Sequence, residues 1–166
     1  NGAEVKQVSF QGDVGLHVAK AIWAVLNGKS DILPLGAAYV VGNKAYEEDE
    51  TAKRETVDIN KKIYDKSDTG INKIYEEGRK ASLEYFETIY KRLNTKFDYY
   101  FFESETGEVG KKIVEENIGE VFEKSEGAIV YKGSHTRVFI NSQGLPTYEA
   151  KDLGNAKNKF EKYINA

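Results

Sequence analysis

The chain has 166 residues, of which 40% are hydrophobic and 31% are charged, a composition typical of a folded globular domain. Its formal net charge of −3 argues against a segment that grips nucleic acid by itself, because such binding depends on neutralising phosphates. The sequence has no cysteine, which excludes disulfides and thiolate metal sites and is compatible with the predicted cytoplasmic location. No apolar run approaches the ~20 residues of a membrane span.

The first predicted elements are a strand, a glycine-containing turn and a helix. Alternating polar and apolar residues predict a strand over Glu4–Phe10, and Gly12–Gly15 (Gly-Asp-Val-Gly) form the turn. Apolar residues at helical spacing predict a helix over Leu16–Leu26, which Asn27 and the following glycine end. This order is half of a doubly wound α/β unit, in which ligands bind at the carboxyl ends of strands.

The middle of the chain is predicted to be helical. One long helical region covers Leu35–Lys66, Ser67–Gly70 interrupt it, and a second helix covers Ile71–Leu93, so that the two form an antiparallel pair. The charged residues at 47–55 are interpreted as a solvated helix face. The aromatic residues of the second helix are interpreted as core, the alternative being a surface that stacks on RNA bases.

The last third of the chain is predicted to alternate between strands and helices. The predicted elements are a strand over Lys96–Phe102, a helix over Glu105–Asn117 capped by Ser104, strands over Ala128–Lys132 and Thr136–Asn141, and a helix over Tyr148–Ile164. Ser142–Gly144 turn the chain before the last helix. Together with the N-terminal elements, this pattern predicts an α/β fold.

Tyr148 and Asp152 are the sharpest candidates for a binding site. They are four residues apart at the start of the last predicted helix, so both side chains lie on one face. A carboxylate accepts paired, charge-assisted hydrogen bonds from a guanidinium, and a phenol can stack on it or hydrogen-bond to it. The spacing therefore suits a guanidinium ligand such as free arginine. The alternative is an ordinary helix with an aromatic core residue and an exposed acid.

Four stretches carry motifs that recur in the same order in one known family. They are Val8–Lys20, with its Gly-Asp-Val-Gly turn, Phe97–Ser104, Ser125–Val130 and Gly144–Leu153, with its Tyr-x-x-x-Asp-Leu helix start. In this order they resemble the catalytic domain of arginyl-tRNA synthetase, a class I aminoacyl-tRNA synthetase. The chain departs from the family at Val14, where the family usually has tryptophan, and at Ser9, where it often has asparagine.

Two sequence motifs of class I synthetases are absent from the chain. It has neither a His-x-Gly-His motif nor a Lys-Met-Ser-Lys-Ser motif, which in the family bind ATP and stabilise its phosphates. The chain also begins with Asn1 instead of methionine. We interpret the sequence as an internal fragment of a longer enzyme and expect the fragment alone to be inactive.

The resemblance implies a fold, a domain organisation and an activity. The fold would be part of a Rossmann-like class I catalytic domain interrupted by a mainly helical insertion. Residues 1–28 would form the first part of the nucleotide-binding fold, 29–95 the helical insertion, and 96–166 the remaining strands and the helix with the Tyr-x-x-x-Asp motif. The intact enzyme would be an arginine–tRNA ligase, which activates arginine with ATP and Mg²⁺ and transfers it to the 3′ end of tRNA(Arg).

The resemblance also assigns roles to individual residues. Tyr148 and Asp152 would contact the guanidinium of arginine, whereas no catalytic side chain and no protein-bound metal are implied, because positioning and charge stabilisation carry the chemistry. The alternative is a non-catalytic arginine-binding module, or a structural module, derived from a synthetase. Membrane contact and autonomous nucleic-acid binding are not expected.

The glycine-containing turn would line the same pocket. The resemblance places Gly12, Asp13 and Gly15 beside the aminoacyl-adenylate, and His17 lies in the first helical turn after them. For Asp13 the alternative is a helix-capping acid that complements the positive helix N-terminus. His17 is too far in sequence from His135 to suggest a metal site.

Overall fold

The computed structural model of the chain describes residues 2, 4–31 and 35–164. The described residues divide into two units. One comprises residues within 1–7 and 13–98 and is called the helical unit; the other comprises residues 8–12 and 99–164 and is called the sheet unit. The chain passes between them three times, at Gln7–Val8, at Gly12–Asp13 and at Asp98–Tyr99.

The helical unit contains four helices. They are α1 (Leu16–Leu26), α2 (Leu35–Glu48), α3 (Glu50–Asp65) and α4 (Thr69–Arg92). Its core is built around α1, where Ala19, Ile22 and Trp23 are buried. The indole Nε1 of Trp23 donates a hydrogen bond of 2.7 Å to Glu55 Oε2 on α3. Burying this aromatic side chain contributes apolar area, and the hydrogen bond satisfies its polar atom.

The predicted helix over Leu16–Leu26 is confirmed, but the long helical region after it was predicted too long. It is broken at Asp49, whose carboxylate accepts hydrogen bonds from the backbone N–H groups of Thr51 at 2.7 Å and Ala52 at 3.4 Å. Asp49 is therefore an N-cap that starts a new helix. Residues 32–34, just before α2, lie outside the described residues.

Two interpretations of side chains in the helical unit had different outcomes. The charged residues at 47–55 are exposed as expected. The aromatic residues of α4 were expected in the core, which is wrong for Tyr85, 63% exposed, and Phe86, 36% exposed. Tyr75 does pack against the core, and Tyr90 contacts Phe97 edge to face with 5.0 Å between ring centroids. Only the first half of α4 faces the core of this unit, because Ile71 and Gly78 are its buried residues.

The sheet unit contains five strands and two helices. They are β1 (Val8–Gln11), β2 (Tyr99–Phe102), α5 (Glu103–Glu116), β3 (Glu123–Ser125), β4 (Ala128–Lys132), β5 (Thr136–Ile140) and α6 (Tyr148–Ile164). Strands β1 and β2 are parallel and in register from Val8 opposite Tyr99 to Gln11 opposite Phe102. Strands β3, β4 and β5 form a separate antiparallel sheet in that order.

The sheet unit corrects several predicted bounds and adds one strand. Strand β2 begins at Tyr99 and not at Lys96. The first strand begins at Val8 and not at Glu4, and it extends to Gln11. Ser104 does not cap α5, because that helix already begins at Glu103. Strand β3 was not predicted. The predicted strands β4 and β5 and the last helix are present, and the mixed helix-and-sheet class is confirmed. Among the described residues, no helix is both long and apolar enough to cross a membrane.

Candidate functional site

The turn that leads into α6 is held by its own side-chain hydrogen bonds. The Asn141 Oδ1 atom accepts hydrogen bonds from the backbone N–H groups of Gln143 and Leu145, each at 3.0 Å. Gly144 has a φ of 77°, a left-handed conformation that glycine adopts without strain. Leu145 is 5% exposed. The sequence therefore fixes the turn locally, through an asparagine that bonds to backbone groups two and four residues ahead.

Thr147 ties the beginning of α6 to strand β5. Its backbone N–H donates to the Phe139 carbonyl at 2.9 Å, and its hydroxyl Oγ1 lies 2.7 Å from the Val138 carbonyl oxygen. The Thr147 carbonyl then accepts from the Lys151 backbone N–H at 3.1 Å. The first turn of α6 is thus bonded to the antiparallel sheet at the residue just before Tyr148.

Close packing between α5 and α6 fixes the rest of α6. A Cβ atom at Gly154 would lie 2.0 Å from the Thr106 carbonyl oxygen, and one at Gly110 would lie 1.7 Å from the Ala150 carbonyl oxygen. Only glycine permits backbones to approach so closely. Thr106 and Ala150 are fully buried. One face of α6 is therefore pressed against α5, and its other face is left for solvent.

Tyr148 and Asp152 lie on the solvent-facing side of α6. Tyr148 is 66% exposed, and Asp152 is also exposed. Within the described part of the chain, neither the Tyr148 hydroxyl nor the Asp152 carboxylate makes a hydrogen bond or ion pair with a protein group. The expectation that Tyr148 would be core, which was the alternative for this helix, does not hold. A cation could approach both side chains from solvent.

A surface depression of about 430 Å³ runs along the same face. It is lined by Asp152, Asn155, Ala156, Lys159 and Phe160. The Asn155 side chain is 4% exposed, and its Oδ1 atom has no hydrogen-bond partner among the described residues. Asp152 therefore stands at an open surface depression.

Sequence reasoning missed a buried ion pair under this face. The Lys151 Nζ atom lies 2.6 Å from Glu103 Oε2, and the side chains are 6% and 9% exposed. Lysine and glutamate are almost never fully buried unless they are paired. The one sequence signal was the position of Glu103 directly after the apolar strand Tyr99–Phe102, and it did not name a partner.

The predicted turn at Gly12–Gly15 is present between β1 and α1. Gly15 has a φ of 134° and is the N-cap of α1, so a side chain here would strain the backbone. Asp13 has a side chain that is 4% exposed, and its Oδ2 atom accepts a hydrogen bond of 2.6 Å from Arg79 Nε on α4. This contact ties the turn to α4. The N-cap of α1 is Gly15 and not Asp13, and the pocket role of Asp13 stays a prediction.

The predicted site residues fall in both units. Gly12 follows the last residue of β1 and belongs to the sheet unit with Tyr148 and Asp152. Asp13 and His17 belong to the helical unit, and His17 is exposed in the first turn of α1. The structure thus brings Tyr148 and Asp152 together on one helix face and anchors Asp13 through Arg79.

The described residues contain no group of three or more histidine, cysteine, aspartate or glutamate side chains that could hold a metal ion.

Comparison with known proteins identifies relatives over nearly the whole chain. No protein-family model matches it. The arginine–tRNA ligase of Borrelia garinii subsp. bavariensis is 28% identical to the chain, and the match covers 93% of this chain and 30% of the relative. The arginine–tRNA ligase of Bdellovibrio bacteriovorus is 29% identical over 97% of this chain and 31% of the relative.

A solved structure shares the fold. The crystal structure of arginyl-tRNA synthetase from Plasmodium falciparum matches with a TM-score of 0.65 and 16% sequence identity, over 91% of this chain and 27% of that protein. This likeness concerns the fold. In sequence, the chain is similar to arginine–tRNA ligases and spans a little under a third of their length.

Proposed function

We propose that the chain is part of an arginine–tRNA ligase and that the exposed face of α6 binds the guanidinium group of arginine. The proposed ligase activates arginine with ATP and transfers it to the 3′ end of tRNA(Arg). Similarity to ligases of this name over 93% and 97% of the chain supports the proposal. The proposed fold is a class I catalytic domain, in which residues 1–28 and 96–166 belong to the nucleotide-binding fold and 29–95 are the helical insertion.

The observation that carries the proposal is the arrangement of Tyr148 and Asp152. The Asp152 carboxylate makes no hydrogen bond or ion pair within the described part of the chain, although it stands on a helix that is bonded to β5 and packed against α5. One helical turn before it, Tyr148 presents an aromatic ring that is 66% exposed. Asp152 would accept two N–H groups of a guanidinium, and the ring of Tyr148 would cover its plane.

The proposed chemistry requires little from acid–base side chains. The arginine carboxylate attacks the α-phosphate of ATP and displaces pyrophosphate, which leaves arginyl-adenylate. The enzyme acts by placing the two reactants and stabilising the developing charge. Holding the guanidinium at Asp152 would fix one end of the substrate. Gly12, Asp13, Gly15 and His17 are proposed to form the wall beside the adenylate. Arg79 would keep this turn in place through Asp13.

The chain itself carries neither ATP-binding motif of class I synthetases. We therefore propose that the 166-residue chain alone binds arginine without activating it. An exchange assay that measures arginine-dependent formation of ATP from pyrophosphate should show no activity with this chain. The competing proposal, a structural module derived from a synthetase, predicts no arginine binding at all.

The test is a calorimetric titration of the chain with L-arginine, with L-lysine and L-citrulline as controls. Citrulline has nearly the shape of arginine but no charge, so it separates charge recognition from shape. The Asp152→Asn variant should weaken arginine binding by about 1.5–3 kcal/mol, the usual contribution of hydrogen bonds to a charged group, which is about 10- to 150-fold in Kd.

A matched control variant is Glu161→Gln on the same helix. It removes the same charge from an exposed side chain that does not line the depression. Its effect on arginine binding should be small, because exposed charges at a distance are screened by salt. Equal effects of Asp152→Asn and Glu161→Gln, or citrulline binding as tightly as arginine, would contradict the assignment of Asp152.

A further inference from the structure

The buried ion pair between Glu103 and Lys151 is not explained by stability alone. Its two charged groups are 2.6 Å apart, and both side chains are at least nine-tenths buried. Removing two charges from water is so unfavourable that well-packed apolar residues in their place are often as stable or more stable. What the pair connects indicates a role beyond stability.

The pair connects the first turns of α6 to the parallel sheet. Glu103 is the residue directly after β2, and the partner strand β1 ends opposite it, with Gln11 in register with Phe102. Both strands are parallel, so their carboxyl ends share one edge, which is where α/β folds place ligands. Lys151 immediately precedes Asp152 on α6. The pair therefore ties the proposed guanidinium site to this edge.

Lys151 also contacts the aromatic side chain of the proposed site. Its Nζ atom lies 5.2 Å from the centroid of the Tyr148 ring, within the range of a cation–π interaction. The ammonium group therefore contacts the ring from the protein side, whereas 66% of Tyr148 remains exposed. A lysine without a partner here would repel a second cation, and the carboxylate of Glu103 neutralises it.

We propose that Glu103 and Lys151 are positioning residues for a guanidinium ligand. Lys151 holds the ring of Tyr148 in one orientation beside Asp152, and Glu103 fixes the ammonium group and cancels its charge. This inference rests on the proposed arginine-binding function and adds two residues that do not themselves touch the ligand.

The main test is the double variant Glu103→Leu with Lys151→Met. Each single change to an apolar residue leaves one buried charge without its partner and can unfold the chain, whereas the double change removes both charges. The double variant should be at least as stable to urea as the unchanged chain. Its arginine Kd should rise about three- to tenfold, because binding must then order the Tyr148 ring. Lys151→Arg, which keeps a cation that can pair and stack, should retain more affinity than the double variant.

A second readout does not depend on the ligand. Three-bond couplings that report the χ1 angle of Tyr148, measured by NMR without arginine, should show one rotamer in the unchanged chain and averaging in the double variant. A folded double variant with unchanged arginine affinity, or one in which Tyr148 keeps a single rotamer, would overturn the positioning role. If the unchanged chain binds no arginine, the proposed function fails, and the couplings still decide whether the ion pair orients Tyr148.

Discussion

Substituting Gly154 by alanine tests the helix contact that sets the position of α6. An added Cβ would lie 2.0 Å from the Thr106 carbonyl oxygen and 2.7 Å from the Gly110 backbone nitrogen. Ordinary contacts between such atoms are about 3.5 Å, so the two helices must move apart by more than about 1 Å. Neither neighbour can rotate away, because both are backbone atoms.

The expected change in the free energy of unfolding is the balance between the clash of the added Cβ and the higher helix propensity of alanine. A gap of about 0.5–1 Å forfeits a quarter to a half of the dispersion energy between facing atoms, and overpacking a core commonly costs about 1–3 kcal/mol or more. Alanine in a helix interior is more favourable than glycine by about 1 kcal/mol. Because the clash involves backbone on both helices, we expect a net loss of about 2–4 kcal/mol.

Urea unfolding, followed by the amide resonances of α5 and α6, measures this loss. The single tryptophan, Trp23, belongs to the helical unit, so its fluorescence would not report on the sheet unit. With a slope of about 1–3 kcal/mol per molar urea, the midpoint should fall by about 1 M or more. The control is Gly36→Ala in α2, which belongs to the helical unit and is followed by the amide resonances of α2. An added Cβ there meets nothing within 4 Å, so stability should rise slightly. An unchanged or higher midpoint for Gly154→Ala would refute the reasoning.

Two further predictions concern charged contacts of the helical unit. Arg79→Ala removes the hydrogen bond to the buried Asp13 carboxylate and should lower the free energy of unfolding, measured in urea, by about 1–2 kcal/mol. This is at the lower end for a charged hydrogen bond because the Arg79 side chain is 29% exposed. Lys80→Ala is the exposed control, and an equal effect of the two variants would contradict the contact. The hydrogen bond and charge of Asp58 raise the pKa of Lys62 in the folded chain. The stability that this pair contributes is therefore complete below the pKa of Lys62 in the unfolded chain and is lost as the pH rises through its pKa in the folded chain. An NMR titration should show a lower Lys62 pKa in Asp58→Asn, and an unchanged pKa would exclude this cause.

The elements that sequence patterns predicted best are those with clear start and stop signals. The bounds of α1 and α6 were predicted correctly, because apolar residues at helical spacing are flanked by a glycine turn or a proline turn. The break at Asp49 was missed, since an N-cap aspartate inside a run of charged residues is not distinguished by composition. Strand β3 was missed because it has only three residues, of which two are exposed.

The candidate site was predictable only in part. The spacing of Tyr148 and Asp152 is a local property, and a helix places both on one face whatever the rest of the fold does. The burial of Lys151 is not local, because it depends on Glu103, which is 48 residues away in the sequence. The exposure of Tyr85 is also not a local property. Its helical spacing predicted a core residue, yet it is 63% exposed.

Three independent contacts converge on the start of α6, and they differ in kind. Thr147 bonds the helix to strand β5, Gly154 packs it against α5, and Lys151 joins it to the end of β2 through a buried ion pair. An anchoring of this strength fixes the backbone beneath Asp152, while its carboxylate makes no hydrogen bond or ion pair within the described residues. Preorganisation of this kind lowers the entropy lost when a ligand binds, because the protein groups are already ordered. Under the proposed function, the buried charge pair is what would separate a binding face from a purely structural one, and the double variant at Glu103 and Lys151 tests this.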